Sequence, residues 1–78
     1  MKKDPSLVFV ERFATNLKQL RKERGVSHQV LADRAGVHRS TVSYIESGKI
    51  VPTILVAARL AQALEIQLDE LVRRALSS

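Results

Sequence analysis

The chain has 78 residues, which bounds it to a single domain, residues 1–78, near the lower limit of what one core stabilises unaided. It has no cysteine, which excludes disulfides, cysteine-based metal sites and a thiol nucleophile. Its 13 basic and 8 acidic residues leave a net charge of +5, and such a surplus in a small domain points to a polyanionic partner.

Local punctuation at Asp4-Pro5, Gly25, Gly36, Gly48 and Pro52 cuts the chain into five segments of helical periodicity. The first, Pro5 to Glu23, is capped by Asp4 and carries Phe9, Phe13, Leu17 and Leu20 on one stripe, with basic residues crowding its end. The second runs from the N-cap Ser27 to Ala35, with Leu31, Ala32 and Ala35 inward and Gly36 as a left-handed stop. The third, Arg39 to Ser47, turns Val42 and Ile45 inward and Arg39, Ser40, Ser43 and Tyr44 outward. The fourth, Thr53 to Leu64, has a core stripe of Ile54, Ala57, Leu60, Ala61 and Leu64, which leaves Leu55 and Val56 exposed. The fifth, Leu68 to Leu76, places Asp69 and Glu70 first and Arg73 and Arg74 last, the order the helix dipole favours. Five short helices with short connections predict a compact all-α bundle held by packing rather than propensity.

Several functions are excluded at this stage. Three aromatic residues are too few for a single-strand stacking platform. No apolar run approaches the roughly 20 residues that span a bilayer, and the Met-Lys-Lys-Asp-Pro start lacks a signal peptide's apolar region, so a soluble, cytoplasmic chain is expected. His28 and His38 are too few for a metal site without cysteine beside them, no cofactor is implied, and the serines lack the base and orienting group of a nucleophilic enzyme.

Segments two and three carry the functional signal. A short helix, a turn on Gly36 and a second short helix form a helix-turn-helix over about residues 27–47, closely crossed at Ala32 and Ala35. The outward Arg39, Ser40, Ser43 and Tyr44 then sit on a helix able to enter a major groove. The apolar residues of segment five exceed one buried stripe, so Leu68, Leu71, Val72, Ala75 and Leu76 are expected to form a dimer surface over residues 68–76. A twofold dimer sets its recognition helices about 34 Å apart and demands a near-palindromic site.

The stretch GVSHQVLADRAGVHRSTVSYIESGKIVPTILVAARLAQALEIQLDEL, from Gly25 to Leu71, closely resembles the phage Cro/repressor-type (XRE-like) helix-turn-helix family. That family includes phage repressors, restriction-modification controller proteins and some antitoxins. The resemblance implies a five-helix, lambda-repressor-like DNA-binding domain. It implies base contacts from Arg39, Ser40 and Tyr44, and phosphate contacts from His28, Thr41, Ser43 and Lys49. It also implies a structural ion pair of Arg21 with Glu46. His28 departs from the family's glutamine, His38 and Gln67 from its small polar caps, and Leu55 and Val56 from its polar surface. The implied function is homodimeric binding to double-stranded DNA for transcription regulation, as a repressor or controller acting often on its own promoter. The alternative is an antitoxin-like protein that masks a partner protein and binds DNA for autoregulation; the absence of a tail beyond Ser78 favours the regulator.

Overall fold

In the computed structural model, which describes residues 4–76, each helix starts and stops where local chemistry directs it. The basic start at Lys2 and Lys3 lies outside these residues. Helix α1 (Pro5–Glu23) opens with Asp4 Oδ1 accepting the Ser6 amide at 2.7 Å and with proline at its first position. Helix α2 (His28–Ala35) is capped by Ser27 Oγ on the Val30 amide at 3.1 Å. Helix α3 (Arg39–Glu46) has His38 at its cap position, and that side chain makes no capping bond. Helix α4 (Ile54–Ala63) is capped by Thr53 Oγ1 on the Val56 amide at 3.1 Å. Helix α5 (Leu68–Leu76) is laced by two i,i+4 pairs, Arg73 with Asp69 at 2.8 Å and Arg74 with Glu70 at 3.0 Å. Among the described residues there is no strand, and no helix is long and apolar enough to cross a membrane.

The first four helices end in the same way. Val26, Val37, Lys49 and Ile66 return their amides five residues back to Arg21, Ala32, Tyr44 and Ala61, while the preceding residue bonds three residues back. This double closure needs a left-handed residue immediately before the returning amide. Glycine supplies it three times, but after α4 the position is Glu65, at φ 60°. A side chain in that conformation costs roughly 1–2 kcal/mol, part of which glycine gives back as unfolded-chain entropy. Glu65→Gly is therefore expected to stabilise the chain by about 0.5–1 kcal/mol in urea unfolding. A loss of stability would show that exposed Glu65 makes a contact stronger than its strain.

Helix α1 lies against α3 and α5, α2 against α3 and α4, and α4 against α5. Leu17, Leu31, Val42, Ile45, Leu60, Leu64 and Leu71, drawn from every helix or its cap, are fully buried at the centre. Two inferences about α4 need correction. Ile54, placed by its spacing on the core stripe, is 82% exposed, because the first residue of α4 overhangs a cavity that nothing among the described residues covers. Val56, expected outside, packs half-buried against the core on the flank of α4. Arg24 ties the ends of two helices together: its Nε donates to the Leu64 carbonyl at 2.9 Å, satisfying an orphan acceptor at the end of α4.

Candidate nucleic-acid interface

The α2–α3 pair builds one outward face. Ala32 and Ala35 are buried at the crossing, Gly36 at φ 69° turns the chain, and buried Val42 and Ile45 key α3 into the core. That fixes the rotation of α3 about its own axis. Arg39 and Ser40 stand exposed on its first turn and Tyr44 a turn later at 46% exposure. Together with Ser43 and His28 they line one shallow depression on the surface. Thr41 is half-buried and does not line it. Lys49, just past Gly48, holds its Nζ 5.7 Å from the Tyr44 ring centroid, a cation–π distance that keeps a positive charge beside the recognition face.

Behind this face lies a three-helix hub. Arg21 of α1 grips Glu46 of α3 with two nitrogens, Nε to Oε2 at 2.7 Å and Nη2 to Oε1 at 3.1 Å. Its remaining Nη1 donates to the Val26 carbonyl at 3.0 Å, so all three guanidinium nitrogens are engaged. From α2, His28 Nε2 reaches Glu46 Oε1 at 3.0 Å. The Arg21 and Glu46 side chains are only 11% and 5% exposed. Burial pushes the Glu46 carboxyl up, but the hydrogen bonds and charges of Arg21 and His28 outweigh burial and hold it below its ordinary value. Glu46 is thus an anion shared by three helices at the end of the recognition helix. Among the described residues no group of histidine, aspartate or glutamate side chains is arranged to hold a metal ion.

The residues expected at the dimer surface divide. Leu71 and Ala75 are buried inside the chain itself, so they cannot touch a partner; α5 spends that stripe on α1 and α4. Leu68 and Val72 are half-buried and Leu76 is 67% exposed. Sequence reasoning missed a larger apolar surface next to them. Phe9, Phe13, Ile50, Val51, Ile54 and Val72 are among the walls of a cavity of about 180 Å³, open to solvent at Val51 and Ile54. The signal was present in the run Ile50-Val51-Pro52, since a surface loop seldom carries two adjacent branched aliphatic residues without something to cover them.

Comparison with known proteins places this architecture. A helix-turn-helix family model, HTH_3, matches residues 17–71, more than half of the chain. An uncharacterised HTH-type transcriptional regulator of Methanothermobacter thermautotrophicus is 40% identical over 50 residues, covering 64% of this chain and 72% of that protein. The crystal structure of the restriction-modification controller protein C.AhdI from Aeromonas hydrophila is 34% identical with a TM-score of 0.77, covering 80% of this chain and 94% of that one. The controller C.Esp1396I, solved as a tetramer with its natural 35 base-pair operator, shares the fold at 22% identity and a TM-score of 0.76, covering 88% and 96%. Helix order, turn geometry and family match agree: the chain belongs to the HTH_3 family of Cro/repressor-type helix-turn-helix DNA-binding transcriptional regulators.

Proposed function

We propose that the protein binds a near-palindromic operator in double-stranded DNA as a homodimer, one α3 per major groove, and regulates transcription, its own promoter included. The observation that carries this reading is the division of α3. One face, Val42 and Ile45, is consumed by the core, while Arg39, Ser40 and Tyr44 project from the other and take no part in the core. Arg39 offers the fork that suits a guanine edge, Ser40 and Tyr44 reach neighbouring base edges, and Ser43, Thr41, Lys49 and His28 hold phosphates. The second subunit covers the apolar cavity and the exposed Ile54, Val51 and Leu76 beside it, which single-chain packing leaves wet. The operator-bound tetramer of C.Esp1396I supports an assembly of more than one chain on DNA. The proposed DNA target is consistent with work in the cytoplasm.

Fluorescence anisotropy on the DNA upstream of the protein's own gene, at several salt concentrations, tests this. Wild type is expected to prefer that DNA over random sequence and to weaken steeply with salt through counterion release. Arg39→Ala is expected to lose about 1–3 kcal/mol of the discrimination, roughly 5- to 150-fold, while keeping its salt-sensitive grip on random DNA. Equal binding of both DNAs by wild type would count against the operator. The exposed Ile54 and Leu55 also fit a second reading, in which a different protein docks there and DNA binding serves autoregulation. Co-purification of a second, unrelated chain in place of a homodimer would favour that reading.

A further inference from the structure

His28 occupies the first position of α2 and looks two ways. Inward, its Nε2 lies 3.0 Å from Glu46 Oε1. Outward, the ring helps line the depression it shares with Arg39, Ser40, Ser43 and Tyr44, and its side chain keeps 30% of its exposure. A charged carboxylate can only accept hydrogen bonds, so the nitrogen facing Glu46 carries a proton. In a neutral imidazole the other nitrogen is then a bare lone pair. A DNA phosphate oxygen is also only an acceptor, and a lone pair cannot bind it. The doubly protonated ring donates from both nitrogens and satisfies both anions.

We propose that His28 is a proton-dependent phosphate clamp, gripping the DNA backbone only as an imidazolium held between Glu46 and a phosphate, so that each subunit takes up a proton as it binds. The inference rests on the DNA-binding reading above and names the condition under which one of its contacts forms. Charged groups from three helices surround the ring. From α3, Glu46 is the one anion in contact, and Arg39 and Tyr44 line the same depression. From α1, Arg21 already occupies both oxygens of Glu46. From α4, Arg59 stands beside Gly36, past the opposite end of α2. A phosphate arriving opposite Glu46 brings a second acceptor-only anion to the ring, which only the doubly protonated form can satisfy along with the first.

The test is DNA affinity between about pH 5.5 and 8.5, the range over which histidine charge changes, at constant ionic strength. The probes are the upstream duplex and a random-sequence duplex of equal length at low salt, since a phosphate clamp acts on both. Wild-type affinity is expected to fall as pH rises, by up to about tenfold per pH unit for each subunit engaged. His28→Gln should give a flat profile, because an amide donates without titrating. His38→Gln should keep the wild-type slope. Calorimetry of the wild type in two buffers of different ionisation enthalpy counts the protons directly and does not depend on any variant folding. A flat wild-type profile, an unchanged slope in His28→Gln, or zero proton uptake would overturn the clamp while leaving DNA binding intact. No binding to either duplex at any pH would overturn the DNA reading and the clamp together.

Discussion

Leu71→Ala is expected to destabilise the folded chain by about 3–4 kcal/mol, including at dilutions where it is monomeric. Leu71 is fully buried where α5 meets the core, and leucine-to-alanine changes at such sites cost about 2.7–5 kcal/mol through lost transfer energy plus a cavity. A chain of this size has only about 4–12 kcal/mol in total, so the variant will be partly unfolded at moderate temperature. The informative comparison is Ile54→Asp. Ile54 is exposed at the first position of α4, where a carboxylate also suits the helix dipole, so the monomer's stability should change by no more than about 0.5 kcal/mol. A charge there should nevertheless abolish a dimer built on the apolar cavity. Urea unfolding by circular dichroism and sedimentation velocity on both variants separate the roles. A Leu71→Ala protein as stable as wild type but monomeric would return the interface to the inner stripe of α5.

Glu46→Ala is the second large effect, with an expected cost of about 3 kcal/mol at neutral pH. Removing the carboxylate leaves Arg21, 11% exposed, with a charge and no counterion, and that uncompensated charge dominates the cost. The pH dependence follows from the direction of the Glu46 shift. Its carboxyl titrates lower in the folded chain than in the unfolded one, so its contribution is complete above the ordinary glutamate range, about pH 4.3. The contribution is lost as pH falls through the lowered folded value. The Glu46 contribution to the stability gap between wild type and Glu46→Ala should therefore be complete above about pH 5 and shrink in stronger acid. A gap that stays constant into strong acid would mean that packing of the side chain, not its charge, is what matters. Because Glu46 closes α3, the variant should also bind DNA less well than its folded fraction alone explains.

The helix boundaries were legible because they are written in single residues: Asp4, Ser27 and Thr53 accept the first amides, and Gly25, Gly36 and Gly48 take the left-handed stops. The outward set on α3 was legible for a similar reason, since buried Val42 and Ile45 leave Arg39, Ser40 and Tyr44 only one direction. The closeness of Arg21 and Glu46, 25 residues apart, came from family resemblance and could not have come from periodicity. What stayed hidden is what covers each stripe. Spacing assigns Ile54 to the core stripe and leaves Leu71 for a dimer surface, yet the first overhangs an open cavity and the second is sealed. That difference depends on where α1 and α5 end in space. Arg24 was read only as a cation at the end of α1, because its acceptor, Leu64, is 40 residues away.

The length of α3 limits how much sequence one subunit can specify. Eight residues at 1.5 Å each make a rod of about 12 Å, which faces three or four base pairs at 3.4 Å spacing. Four fully read positions distinguish one site in about 256, and two half-sites one in about 65,000, whereas a genome offers upward of a million competitors. Direct reading by a pair of such helices would therefore leave about fifteen equal matches or more. In the proposed dimer the remaining selectivity is expected from DNA the recognition helices do not touch, in the length and bendability of the spacer between half-sites. Inserting one base pair at the centre of an operator should thus be as damaging as mutating a contacted base.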